Sequence, residues 1–410
     1  MNTISAPTSP HRTPTSTSDK WQTASCSDLA RAEVDEMRKK PIANAQYTIL
    51  RSKRDVIASF LKKHKDDDLT LYIDELRGFA ISQGGLVDDE FRSIIWPILA
   101  DNMVPSVDSN DDASSSVDSD FESSVSEPES IDEDTIDIDI EVLKQHKEWN
   151  QVAMDVHRTL ARFPPNINDV HRTQLQEELV PLIVRVLSIN PKFNYYQGFH
   201  DVCLTVILVC GAQEALKVCS NIARFGCFNG YLTKSLEQSV VKQLDLMYVI
   251  LSRVEPQVEQ VMRQVELGGM FALSWPLTWF SHSLQKYQQI VRLFDVFLAS
   301  QPLLPIYVAS AVVVYRRSSI LACEREMPFI HRLLTEMPHE LPIESIIKDA
   351  VYLARLMPPC LLKTRYYSDY RKVMNKPRHK MMGSQIPRYA LQFLFVAGTA
   401  ASVYYFKQFQ

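Results

Sequence analysis

The sequence predicts an all-α fold, and three observations carry that prediction. Apolar residues recur at helical spacing along the chain from about residue 46 to residue 365. No run shows the period-2 alternation, bounded by turn residues, that marks a half-buried strand. Glycine is scarce, 11 residues in 410, and neither G-x-x-x-x-G-K-S/T nor G-x-G-x-x-G occurs, so neither common Gly-rich phosphate loop is available.

Residues 1–45 form a Ser/Thr/Pro-rich tail with too few apolar residues to fold against anything, and it is expected to be disordered. Ser9-Pro10 and Thr13-Pro14 within it suit phosphorylation. From about Tyr47 the pattern turns helical through Ile49, Val56, Ile57, Phe60 and Leu61, and a second helix follows through Leu71, Ile73, Leu76, Phe79, Ala80 and Ile81. Gly84-Gly85 stops it. Asp88 is the expected N-cap of the next helix, which places Arg92 and Trp96 four residues apart on one face. The expected arrangement is a core tryptophan with the arginine covering its rim.

Residues 103–140 break the pattern with Ser/Asp/Glu low complexity and are expected to form a solvated, disordered insertion within one helical domain. This block explains the charge balance. Residues 108–139 hold 13 of the 49 acidic residues and no Lys or Arg, so the net charge of -5 becomes +8 for the remainder. A mildly basic body without an aromatic–basic platform argues against nucleic-acid binding.

Beyond the insertion, Leu175, Leu179, Leu182, Ile183, Val186 and Leu187 make the apolar stripe of a long helix. Asn190-Pro191 ends it, which puts Tyr195–Gly198 on a connection or at the start of the next helix. Val202–Cys210, bounded by Asp201 and Gly211, is almost wholly apolar but far shorter than the roughly 20 residues that span a bilayer, and reads as a buried helix. Met270–Phe280 and Leu303–Tyr315 read as short buried helices interrupted by Pro276 and Pro305. Val291, Phe294, Val296, Phe297 and Leu298 continue the helical core, and Ile343–Met357 makes a last amphipathic segment before Pro358-Pro359.

The C-terminus differs in kind. A basic linker, 366–388, with Lys372, Lys376, Arg378, Lys380 and Arg388, leads into residues 389–406, a run of 18 without a formal charge. At about 1.5 Å per residue it would reach roughly 27 Å, near the thickness of an endoplasmic-reticulum bilayer. It is expected to be a tail-anchor transmembrane helix with the basic flank cytosolic. The alternative is a C-terminal helix docked on the domain.

The seven cysteines form no C-x-x-C and sit mostly in apolar runs, as reduced thiols of a cytosolic body would. No His/Cys pattern has zinc spacing, so no metal site is expected. Arg158 lies near a helix end, six residues before Pro164, with Asp155 one turn earlier and able to hold its guanidinium in one rotamer. An arginine is a permanently charged fork suited to phosphate oxygens, and Gln197 offers donors and an acceptor that can orient water. By spacing alone, D-x-x-R is an ordinary surface ion pair.

In order along the chain, Arg92-x-x-x-Trp96, Val152-x-x-Asp155-x-x-Arg158 and Tyr195-x-Gln197-Gly198 resemble the three signature motifs of the TBC domain of Rab GTPase-activating proteins. Gly84-Gly85-Leu86, Arg162-Phe163-Pro164-Pro165, Asn190-Pro191, Phe199-His200-Asp201, Ser274-Trp275-Pro276-Leu277-Thr278-Trp279-Phe280 and Arg292-Leu293-Phe294-Asp295 extend the resemblance over about residues 70–360. With the hydrophobic C-terminus, the tail-anchored subfamily of endoplasmic reticulum-to-Golgi traffic is the nearest match.

The resemblance implies an arginine finger at Arg158 and a glutamine finger at Gln197, both supplied in trans to a Rab family small GTPase that brings the GTP and the magnesium. It implies no cofactor of the chain's own. Asp155 is expected to orient Arg158, Tyr195 to pack so as to fix Gln197, Arg162 to support phosphate or Rab contacts, and Arg92 and Trp96 to be structural. His200 and Asp201 have no nucleophile beside them and are expected to be structural too. The competing expectation is a non-catalytic, membrane-anchored Rab-binding adaptor.

Overall fold

The computed structural model describes residues 44–103, 138–161, 163–164 and 168–374, with side chains from Ile49 onward. The expected disordered tail as far as residue 43, most of the acidic insertion, Arg162, and the linker and anchor from residue 375 onward lie outside the described residues, while Asn44 and Ala45, expected to belong to the tail, begin the first helix. Among those described there is no strand, and twelve helices of eight residues or more carry the domain that ends at Thr364. They are α1 (Asn44–Lys63), α2 (Ile73–Ile81), α3 (Asp89–Asp101), α4 (Trp149–Leu160), α5 (Asp169–Ser188), α6 (Phe199–Phe225), α7 (Val240–Val254), α8 (Pro256–Gln264), α9 (Tyr287–Leu298), α10 (Leu304–Tyr315), α11 (Met327–Thr335) and α12 (Ile343–Leu356). The residues from Arg365 form a separate unit whose described part includes the helix Tyr367–Met374.

α6 is the central element, with α3 and α5 packed along it and α4 against both α5 and α6. It is the one helix among those described that is long and apolar enough to cross a bilayer. Every residue from Phe199 to Val209 is buried in the domain, as the bounded apolar run predicts, and Gly211 interrupts the helical backbone at φ 77°, ψ 167°. A second group, α10 against α7 and α12, completes the core. Pro305 interrupts nothing: it occupies the first turn of α10, where a missing N–H costs no helical bond. Met270–Phe280 is no single helix but a 3-10 turn (Met270–Ala272) and one α-turn (Ser274–Leu277), after which Trp279 (φ 47°) and Phe280 (φ 68°) adopt left-handed backbone. Trp279 packs there against Phe228 and Phe294 at ring-centroid distances of 5.0 and 5.1 Å.

Arg92 and Trp96 are both buried, but Arg92 does not cover the rim of Trp96. Its guanidinium is itself buried, 4% exposed, because α9 places Asp295 (0% exposed) beside it. Arg92 donates to both oxygens of Asp295 through Nε and Nη2, at 3.0 Å each, and through Nη1 to Asp89 at 2.8 Å. Trp96 Nε1 (2.8 Å) and the Leu86 N–H (3.0 Å) also donate to Asp295. Burial works against the charge on Arg92, but Asp295 and Asp89 more than offset it and raise its pKa.

Arg292, one turn before Asp295, donates to the carbonyls of Ala80, Ile81 and Ser82 at the end of α2 and pairs with Glu344 of α12. Gly85 sits at φ 57° between these groups, where a Cβ would collide with the Asp295 carboxylate and lie 2.9 Å from Arg292 Cδ. Asp88 holds the N-cap position of α3, but its carboxylate pairs with Arg54 and makes no capping bond.

Candidate functional site

α4 is helical because Val152, Val156 and Leu160 recur at intervals of four and are fully buried against α5 and α6. Two polar residues share that buried face, Asp155 and Thr159. A buried carboxylate is costly unless it is paired, and Asp155 has three partners. Tyr195 Oη donates to its Oδ2 at 3.0 Å and Gln151 Nε2 to the same oxygen at 3.2 Å. Arg158 Nη2 stands 2.8 Å from Oδ1, an ion pair whose angle falls short of an aligned hydrogen bond.

Arg158 also donates from Nε to its own helix, the Met154 carbonyl at 3.3 Å. The guanidinium is therefore tethered along one edge while its side chain stays 59% exposed, against 1% for Asp155. Its place in the last turn of α4 lets the helix dipole favour the positive charge.

The connection between α5 and α6 supplies the second wall. Phe193 is buried, the Asn194 N–H donates to the Leu232 carbonyl at 2.8 Å, and Lys147 Nζ, just before α4, donates to Asn194 Oδ1 at 2.7 Å. Tyr196 is pinned by donating to the Leu277 carbonyl at 2.8 Å. The turn then closes through Gly198, whose φ of 117° only glycine adopts readily and where a Cβ would lie 2.9 Å from Thr278 Cγ2. Gln197, between these fixed points, is exposed. The Tyr195 hydroxyl joins this turn to α4. Burial, with Asp155 second, holds that phenol well above its ordinary pKa and so protonated.

Behind the turn, His200 and Asp201 open α6. His200 Nδ1 lies 2.7 Å from Tyr195 Oη and 3.3 Å from the Gly198 N–H, and Nε2 lies 2.9 Å from Thr159 Oγ1. Burial lowers the His200 pKa against the pull of Asp201 and Asp155, so the ring is neutral near pH 7. The neutral ring carries one proton, so its two nitrogens play opposite roles: with the proton on Nε2, Nε2–H donates to Thr159, Thr159 donates to Asp201, and Nδ1 is left to accept from the Gly198 N–H or the Tyr195 hydroxyl. Asp201 accepts from Thr159 at 3.3 Å and pairs with His282 at 3.0 Å. Burial pushes Asp201 up, yet the His282 bond and the neighbouring His200 bring it below the ordinary carboxylate value.

The structure thus joins three of the sequence-selected residues directly, Arg158, Asp155 and Tyr195, and sets Gln197 two residues from the last of them. Arg92 and Trp96 belong to the separate Asp295 cluster. Sequence reasoning missed Gln151, Thr159 and His282. Thr159 beside Arg158 carries no motif, and His282 meets Asp201 only because the fold brings together residues 81 apart.

The profile of the Rab-GTPase-TBC domain matches residues 89–321, from the start of α3 through the α10 region. TBC1 domain family member 20 of Mus musculus is 35% identical over 284 residues, covering 69% of this chain, and the chain spans 63% of that relative's length. The GTPase-activating protein gyp10 of Schizosaccharomyces pombe is 28% identical over 209 residues, 50% of this chain and 54% of that protein. In backbone, the chain is similar to the crystal structure of the Chlamydomonas flagellar RabGAP TBC domain, with a TM-score of 0.53 and 11% identity over 76% of this chain and 96% of that one.

Proposed function

The chain belongs to the Rab-GTPase-TBC domain family, and on that premise we propose that it accelerates GTP hydrolysis by a Rab GTPase, supplying Arg158 and Gln197 in trans. The observation that carries the reading is the Arg158–Asp155–Tyr195 chain, which ties two separate motifs to one place while leaving Arg158 and Gln197 facing outward. The relatives named for GTPase activation support it.

Phosphoryl transfer asks little of a protein beyond placed charge and an aligned nucleophile. Nucleotide and magnesium belong to the GTPase. Arg158 is held on its Asp155 edge, so its remaining N–H groups are pre-aimed at phosphate oxygens, where negative charge develops as the bond to the leaving group breaks. Gln197 can accept from a water and donate to a phosphate oxygen or the GTPase backbone, which sets the water's direction of attack. Asp155 braces the Arg158 side chain, while Tyr195, Tyr196 and the Gly198 turn fix the backbone that carries Gln197. Arg162, outside the described residues, keeps the supporting phosphate or Rab role that the family resemblance implies.

Single-turnover GTP hydrolysis across a Rab panel tests this. Arg158→Ala is expected to lose about 10³–10⁵-fold in the stimulated rate, with Gln197→Ala failing independently. Variants as fast as wild type would sink the mechanism, and binding of GTP-loaded Rab without acceleration of any member would identify an adaptor. The same reading places the chain on the endoplasmic-reticulum membrane, in ER-to-Golgi traffic, through a tail anchor at 389–406. Deleting residues 389–410 is expected to release the protein to the cytosol on fractionation, and persistent membrane association would remove the anchor from the reading.

A further inference from the structure

Resting on the reading of Arg158 and Gln197 as paired phosphate-site residues, we propose that His200 is the positioning residue that sets their separation. It acts through Tyr195 on the turn that carries Gln197, and through Thr159 on the helix that carries Arg158. The ring is 4% exposed and touches no position where a substrate could sit, so its effect must pass through its neighbours. Its two nitrogens reach opposite ways, Nδ1 to the Tyr195 hydroxyl at 2.7 Å and Nε2 to Thr159 Oγ1 at 2.9 Å. Those two contacts bracket Arg158: Thr159 follows it in α4, and Tyr195 holds Asp155, one turn before it.

A rigid imidazole bonded at both edges fixes the distance from the α4 face to the base of the turn, and the Gly198 N–H at 3.3 Å adds the turn's own backbone to the same ring. Asp201, held by His282 and Thr159, closes the floor without touching Tyr195 through any described bond. Remove the ring, and Tyr195 loses its partner on one side and Thr159 its partner on the other. Asp155 and Gln197 are then free to drift by fractions of an ångström, which matters because misplacement of about 1 Å at a reacting centre can cost about 10²-fold in rate.

A buried histidine that merely fills space makes a different prediction from one that spaces two elements. The test uses the full chain with the GTP-loaded Rab that wild type accelerates most, measured in single turnover over a range of chain concentrations. His200→Ala is expected to lower the maximal rate about 10²-fold while the half-saturating concentration stays within about threefold of wild type. His200→Asn, whose amide reaches the Nδ1 position and so the Tyr195 hydroxyl, is expected to recover most of the rate at unchanged melting temperature. His200→Gln, whose amide reaches toward Thr159 alone, recovers less.

In a double-mutant cycle, His200→Ala with Tyr195→Phe is expected to lose no more than the worse single variant. A His200→Ala protein with the wild-type maximal rate, or Asn, Gln and Ala variants that lose rate only with their folded fraction, would overturn the proposal. Full additivity with Tyr195→Phe would do the same. Arg158→Ala in the same assay separates the two failures. If it hydrolyses as fast as wild type, the phosphate-site reading itself is gone and the inference with it; if it is inactive while His200→Ala is unaffected, only the inference falls.

Discussion

Two buried carboxylates in this molecule each receive an arginine, and the two arginines end up in opposite places. At Asp295 the guanidinium of Arg92 is 4% exposed, with donors directed onto Asp295, Asp89 and the Val87 carbonyl. At Asp155 the side chain of Arg158 is 59% exposed and only one edge is engaged. The sequence distance to the carboxylate accounts for part of this. Asp155 is one helical turn from Arg158, so the pair runs along the helix surface and the fork continues outward. Asp295 lies on a different helix from Arg92, and the pair forms only where α3 and α9 close over it. An arginine whose counter-charge lies across a helix interface is locked into the core, whereas one whose counter-charge lies behind it on its own helix is braced to act elsewhere.

Exchange of the two arginines for alanine is the strongest way to break that comparison. Arg158→Ala is expected to cost much less folding stability than Arg92→Ala, because Asp155 keeps Tyr195 and Gln151, while the stimulated hydrolysis rate falls by about 10³–10⁵, equivalent to about 4–7 kcal/mol of barrier. Arg92→Ala is expected to do the reverse. It leaves Asp295 buried without its main partner and costs about 3–5 kcal/mol of folding stability, read from denaturant midpoints, while any folded fraction retains activity. If Arg92→Ala folds as wild type or Arg158→Ala unfolds, the contrast is wrong.

Tyr195→Phe sharpens it at a smaller scale. The ring stays, the hydroxyl bonds to Asp155 and His200 go, and a loss of about 1–3 kcal/mol is expected, with a lower hydrolysis rate as Arg158 and the Gln197 turn uncouple.

Acid titration separates the clusters most finely. The unfolded His200 ring takes up a proton near its ordinary value of 6.5, while the folded ring resists it to lower pH. The unfolded state therefore binds more protons in that window, and stability declines as pH drops below about 6.5. Asp201 is depressed when folded, so its contribution is present above the ordinary carboxylate value and is lost as pH falls through its folded value. Denaturant midpoints between pH 7.5 and pH 5 are expected to fall in wild type and to flatten in His200→Asn.

Much of this was legible in the sequence because it is local. The i, i+4 stripes of α4 and α5, the end of α5 at Asn190-Pro191 and the turn at Gly198 each follow from a few neighbouring residues. Arg158 and Gln197 stood out through motif order, and Asp155 through its spacing. What was not legible depends on contacts between distant segments. Nothing near Arg92 announces Asp295, 203 residues away, so the local sequence predicts a rim position for a charge that in fact needs the core.

The Met270–Phe280 run shows another limit. Its apolar composition suits a buried helix and a tightly folded aromatic turn equally, and the left-handed residues Trp279 and Phe280 are chosen by ring packing rather than by backbone preference. Thr159 and His200 became a bridge only once α4 and α6 were side by side.

The break at Gly211 divides α6 into two independent registers. In an unbroken helix one inserted residue rotates everything downstream by about 100° relative to everything upstream. Here the twelve residues that begin with His200 and Asp201 end at a glycine whose backbone has already left the helical path. Beyond that joint Val218, Cys219, Ile222 and Ala223 are buried again, so the distal half of α6 takes its packing face from the break at Gly211 and not from the residues under the Gln197 turn.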